Sequence, residues 1–168
     1  KAPDPFLAML QRARSMLKPD GRLFLAIENK VGLKYFAGAR EDHVGIAGYG
    51  IEDRYTDDGP RTFGHVELGR LLAEAGYGGC SLFSPFPDYK VPVTIIGQEG
   101  WDCEAFDAGI LASQSARHDP QLPELLMFAP ELAWRPLCAN GLGQGLSNSH
   151  LVVAMAEGAA ATSRVLAF

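Results

Sequence analysis

Three short clusters carry side chains able to do acid–base or binding chemistry. Glu28, Asn29 and Lys30 directly follow an apolar run over residues 23–27. A carboxylate, an amide and an ammonium in that position can orient an acceptor hydroxyl or take its proton. The same trio can equally cap backbone groups and form ion pairs at a strand end. Glu41, Asp42 and His43 place an imidazole beside two carboxylates, the arrangement of a general base, and also that of a solvated loop triplet. Asp88, Tyr89 and Lys90 stand between prolines, suited either to holding an acceptor or to packing a covering segment. Glu28, Asn29 and His43 are the catalytic candidates.

The elements that must position these residues follow from periodicity. Apolar positions at steps of three and four predict helices over 6–17 and 65–75. Asp4 and Pro5 suit the start of the first helix and Gly76 the end of the second. Runs at 23–27, 80–84 and 150–155 predict strands. The first and last are apolar at nearly every position, so both are expected to be covered on both faces. Alternating helix and strand predicts an α/β fold with parallel pairing, in which ligands gather beyond the carboxyl ends of the strands. Residues 28–61 break into glycine-rich sequence anchored by Tyr35, Phe36 and Ile46, with a short helix near 33–37. Further helices are expected near 103–113 and 123–128.

Composition narrows the partners. Fifteen basic against twenty acidic residues give a net charge of −5, which disfavours nucleic acid and anionic membranes. The apolar runs are too short to insert through a bilayer. Cys80, Cys103 and Cys138 lack metal-site spacing and read as small core residues of a cytoplasmic protein. No metal is expected. Trp101 and Trp134 read as packing residues before sugar platforms.

Residues 17–29, Leu-Lys-Pro-Asp-Gly-Arg-Leu-Phe-Leu-Ala-Ile-Glu-Asn, resemble the run entering the fifth strand of class I S-adenosylmethionine-dependent methyltransferases. Glu74-Ala75-Gly76-Tyr77 resembles the end of that family's next helix. The segments 28–38, 41–43, 61–63 and 85–90 look like a bacterial subgroup found with glycosyltransferases in surface-polysaccharide synthesis. The resemblance implies the C-terminal half of a Rossmann-like sheet, its last strand antiparallel between the other two. It divides the chain into a partial core over 1–98, an insertion over 99–147, a final strand over 148–156 and a tail or linker over 157–168.

It also implies methyl transfer from S-adenosylmethionine to a sugar or polysaccharide precursor in the parent protein. Lys30, Lys34, Tyr35, Asp42, Asp88, Tyr89 and Lys90 would hold the substrate. The family's glycine-rich cofactor turn has no counterpart here, so this chain alone is expected to bind the cofactor weakly or not at all. Asn140-Gly141-Leu142-Gly143-Gln144-Gly145 lacks the preceding strand that would make it such a turn, and reads as a loop. Expected partners are the missing N-terminal half or another copy of the chain. A non-catalytic docking module is the alternative reading.

Overall fold

Asp4 begins the first helix, α1 (Pro5–Ser15), by accepting hydrogen bonds from the backbone N–H groups of Phe6 and Leu7 at 2.9 and 3.4 Å. In this computed structural model, which describes residues 4–158, the turn at Gly21 leads into strand β1 (Arg22–Glu28). A one-turn helix α2 (Leu33–Phe36) follows, then a long loop and α3 (His65–Glu74). Glu67 holds the start of α3, its Oε2 accepting from Gly64 N at 2.9 Å. Gly76, at φ 89°, takes the left-handed conformation that ends the helix. Strands β2 (Gly79–Phe86) and β3 (Thr94–Ile96) come next. Four helices then lead to β4 (Ser149–Met155): α4 (Gln98–Asp102), α5 (Ala108–Ala116), α6 (Pro130–Ala139) and α7 (Gly143–Leu146).

The architecture is mixed α and β, built on a four-stranded open sheet of order β1-β4-β2-β3 in which every neighbouring pair is antiparallel. Against the expected parallel pairing, no two strands of the sheet pair in parallel among the described residues, and parallel contact is confined to the isolated bridge between Asn29 and Phe63. β1 and β2 do run the same way, but β4 lies between them and is antiparallel to both. The carboxyl ends of β1 and β2 and the start of β4 therefore meet on one side of the sheet.

Helices α1 and α3 cover one sheet face. Leu10, Phe63, Leu68, Leu72 and Tyr77 pack there on Val152 and Ala154. A second core joins Phe86, Ile96, Ala112 and Trp134 beside β3, α5 and α6. The cover expected on both faces of residues 23–27 is found on one only. Leu23, Leu25 and Ile27 pack against the first core, whereas Phe24 is 67% exposed and Ala26 is also exposed. An all-apolar run carries no alternation to reveal an open face.

Other expectations shift. No helix forms over 123–128, where Leu125 and Met127 are exposed and Met127 N donates to Ala37 O at 3.0 Å. Pro130 instead starts α6, because its fixed φ suits a first helical turn. The helix expected near 103–113 is displaced to α5 because Asp107 caps it, accepting from Ile110 N at 3.0 Å. Of the three loop anchors, Tyr35 alone is buried. Cys80 is exposed rather than core, and Cys103 and Cys138 are half-buried free thiols. Residues 159–168, most of the expected tail, lie outside the described residues. No helix of the described residues is long and apolar enough to cross a membrane.

Candidate functional site

The polar candidates from three separate stretches of sequence converge where β1 ends. Glu28 closes β1 with its side chain 4% exposed. Its Oε1 accepts from Lys90 Nζ at 2.5 Å and from the Tyr89 hydroxyl at 3.2 Å, and its Oε2 lies 3.6 Å from His43 Nε2. His43 and Lys90 are about half exposed and form the solvent-facing rim, over a floor of buried carboxylates.

Beneath the rim lies a second layer. Lys34, fully buried on α2, places its Nζ 3.2 Å from Asp42 Oδ2, 3.4 Å from Asp88 Oδ2 and 2.6 Å from Gln121 Oε1. The Tyr35 hydroxyl donates to Asp42. Asp88 Oδ1 accepts from the backbone N–H of Lys90 at 2.9 Å, which fixes the loop after β2.

Electrostatics follow from this layering. Burial alone would lift the Glu28 carboxyl, but the Lys90 ammonium bound to it prevails and holds it below its ordinary value. Lys90 is raised in turn: burial works against its charge, and Glu28, Asp88 and Asp42 more than offset that. Burial also pushes on Asp42, yet the Tyr35 hydroxyl and Lys34 leave it lowered, while Tyr35 itself is raised by burial and by that carboxylate. Asp119, buried nearby, is raised by desolvation. Glu28, Asp42 and Lys90 are thus held in charged form beside an imidazole open to solvent.

Two candidates are placed differently from the rest. Asn29 is completely buried, its Nδ2 donating to Gly145 O and Ser147 O at 2.8 and 2.7 Å and its Oδ1 accepting from Val31 N at 3.1 Å. That amide is spent on backbone and fixes the exit from β1. Lys30 turns away, binding Asp53 Oδ1 at 3.0 Å and Glu67 Oε1 at 2.8 Å, and so anchors the long loop to α3.

The carboxylates beside His43 in sequence do not serve it. Glu41 accepts from the backbone N–H groups of His43 and Val44 at 2.8 and 2.6 Å, and Asp42 faces Tyr35 and Lys34. Glu28, distant in sequence, supplies the carboxylate at the ring.

Sequence reasoning missed the hub of the site, Asn148. Its Oδ1 accepts from Lys34 N at 3.0 Å, and its Nδ2 donates to Pro87 O and Asp119 Oδ2, both at 3.1 Å. Gly32 allows the approach, since a Cβ there would lie 2.9 Å from Asn148 Cα. Ser149 adds a hydrogen bond from Tyr89 N to its Oγ at 2.9 Å. The available signal was the polar run 147–149 directly before an apolar strand.

The glycine-rich stretch 140–145 follows a helix rather than a strand and does not form a strand-to-helix cofactor turn. Gly143 is used in packing, since a Cβ there would lie 2.4 Å from Trp101 Cζ3 and 3.0 Å from Cys138 Sγ, whereas a Cβ on Gly141 would meet nothing within 4 Å. That stretch joins α6 to α7, and Gly143 begins the one-turn helix α7 rather than a loop. Trp134 is 1% exposed and packs edge-to-face on Phe86 at 5.0 Å, a core role. Trp101 donates from Nε1 to Ser84 Oγ at 3.3 Å and lines a cleft of about 670 Å³ with Phe106, Asp107 and Arg135. That cleft shares no residue with the cluster around Glu28. No group of three or more metal-ligating side chains occurs among the described residues. No protein-family model, curated protein or solved structure matches this chain.

Proposed function

We propose that this chain is the acceptor-side portion of a methyltransferase-like domain, which in its parent protein methylates a hydroxyl of a sugar or polysaccharide precursor. The observation that carries this reading is the convergence of Glu28, His43 and Lys90 at the carboxyl end of β1, the side on which open α/β sheets gather their ligands. A sheet with β4 antiparallel between β1 and β2 agrees with the Rossmann-like half that the sequence resemblance implies.

In this reading His43 is the base. Its Nε2 is turned to Glu28, which leaves Nδ1 to receive the proton of an acceptor hydroxyl. Glu28 orients the ring and stabilises the imidazolium that forms, and Lys90 keeps Glu28 ionised. Tyr35, Asp42, Lys34 and Asp88 hold that pair in place, and Asn29 is a positioning residue. The cofactor is assigned to a part of the parent outside this chain, and no step is routed through it.

Calorimetry with S-adenosylmethionine tests the reading on this chain and on one extended upstream of Lys1. Heat of binding in the longer chain alone is the expected result. Binding in neither contradicts the reading and favours a non-catalytic docking module.

A further inference from the structure

We propose that the cleft of about 670 Å³ bounded by the end of α4, the start of α5 and α6 is a saccharide-binding site, in which a neutral sugar stacks on Trp101 and Phe106 and hydrogen-bonds to Asp102, Glu104 and Arg135. Its size is that of a small-molecule site. The two tryptophans of the chain differ in a way that points to it. Trp134 is buried in the second core, whereas Trp101 is half-buried and lines the cleft. The Trp101 indole is also fixed in place: its Nε1 donates to Ser84 Oγ at 3.3 Å, and Gly143 admits the ring by having no Cβ. A platform held in one orientation loses little freedom when a ligand settles on it.

A sugar ring presents a face of C–H groups and a rim of hydroxyls. The C–H face suits the electron-rich face of an aromatic ring, and the hydroxyls need polar partners at its edge. Phe106, half-buried like Trp101, adds a second apolar wall. Gly109 brings the start of α5 against α6, since a Cβ there would lie 3.1 Å from Arg135 Cα. Arg135 Nη2 then lies 3.4 Å from Asp107 Oδ2, while Asp107 Oδ1 is committed to capping α5. A guanidinium carries five donors, so that contact leaves others for a ligand. Asp102 and Glu104 are exposed at the cleft and supply acceptors. Three carboxyl groups, those of Asp102, Glu104 and Asp107, stand against the single guanidinium of Arg135 in its lining. That balance repels a uronate or a sugar phosphate and selects a neutral sugar. The choice of occupant rests on the chemistry of the cleft and not on the transfer reading.

The test uses the full chain with the methyl glycosides of glucose, galactose and mannose, each beside its uronate. It needs neither S-adenosylmethionine nor transfer, so the two readings can fail separately. Cys103 lines the cleft and Cys80, on β2, does not, which gives an internal control. At least one neutral glycoside, at about ten times its Kd, should slow alkylation of Cys103 by iodoacetamide about tenfold and leave Cys80 unaffected. It should also move the Trp101 indole N–H resonance more than that of Trp134, and its uronate should bind about tenfold more weakly. Arg135→Ala, at an exposed side chain, should keep the wild-type circular dichroism and weaken binding about tenfold. If Cys103 does not react in the free chain, the Trp101 resonance reads binding, and if Arg135→Ala does not fold, the wild-type readings decide. Binding of none of the glycosides, equal protection of Cys80, a uronate bound as tightly as its neutral glycoside, or a folded Arg135→Ala that binds like the wild type would each overturn the proposal.

Discussion

The Lys90 ammonium lies 2.5 Å from Glu28 Oε1, and this contact ties the loop after β2 to the last residue of β1. The carboxylate is buried while the ammonium is half exposed. Removing the cation leaves a charge without its main counterion, with part of the loss made up by water on the Lys90 side. Lys90→Met should cost about 1–2 kcal/mol in urea unfolding, within the range between exposed and buried ion pairs. Glu28→Gln in the same background should cost less than it does alone, giving a coupling of about 1 kcal/mol. Additive losses would show that the two groups do not interact.

Lys34 sits deeper. Its side chain is 1% exposed, and Asp42 and Asp88 beside it are 5% and 2% exposed. Lys34→Met would leave both buried carboxylates with only the half-exposed Lys90 ammonium, 3.5 Å from Asp42 and 3.7 Å from Asp88, so a loss of about 3–5 kcal/mol is expected. A fall in urea midpoint no larger than that of Lys90→Met would contradict the layering.

His150 dominates the response to mild acid. It is fully buried in β4, neither ring nitrogen has a hydrogen-bond partner, and its nearest ring is His65 at 6.4 Å. Burial, helped by His65, pushes it down to about 3 from an ordinary 6.5. The unfolded chain therefore takes up a proton below pH 6.5 that the folded chain refuses, and stability falls as pH drops from 6.5 toward 3. Glu28, lowered from 4.5, and Asp42, lowered from 3.8, keep their stabilising effect above those values and lose it only at lower pH. The raised Asp119 acts in the opposite sense. His150→Leu should accordingly flatten the loss of stability between pH 6.5 and 4.5, and should gain about 1 kcal/mol at pH 7 by removing an unsatisfied polar group. Thermal unfolding across that range, with an unchanged slope, would refute it.

Gly143 is required by packing. A methyl group there would press on the Trp101 ring and on Cys138 Sγ. Gly143→Ala should cost about 1–3 kcal/mol and shift tryptophan fluorescence. A neutral substitution would mean that Trp101 does not pack there.

The fold was legible where periodicity and caps coincide. Asp4 and Pro5 mark α1, Gly76 marks the end of α3, and the apolar runs mark β1, β2 and β4. What a run of apolar residues cannot show is which face is covered, and so the exposure of Phe24 was not foreseen. The polar cluster was legible as separate triplets because each follows or interrupts an apolar element. Its pairing was not, since Glu28 meets His43 and Lys90 through the fold while Glu41 turns back to cap its own loop. Asn148 stayed hidden because an amide before a strand looks the same in sequence whether it caps one turn or joins three segments.

The most direct measurement is methyl transfer by the upstream-extended chain, from labelled S-adenosylmethionine to a panel of free and nucleotide-activated sugars, comparing wild type with His43→Gln. His43 is 41% exposed, so the variant should fold normally. The account predicts a rate lowered about a hundredfold or more with cofactor binding unchanged. Transfer by His43→Gln at the wild-type rate would contradict it.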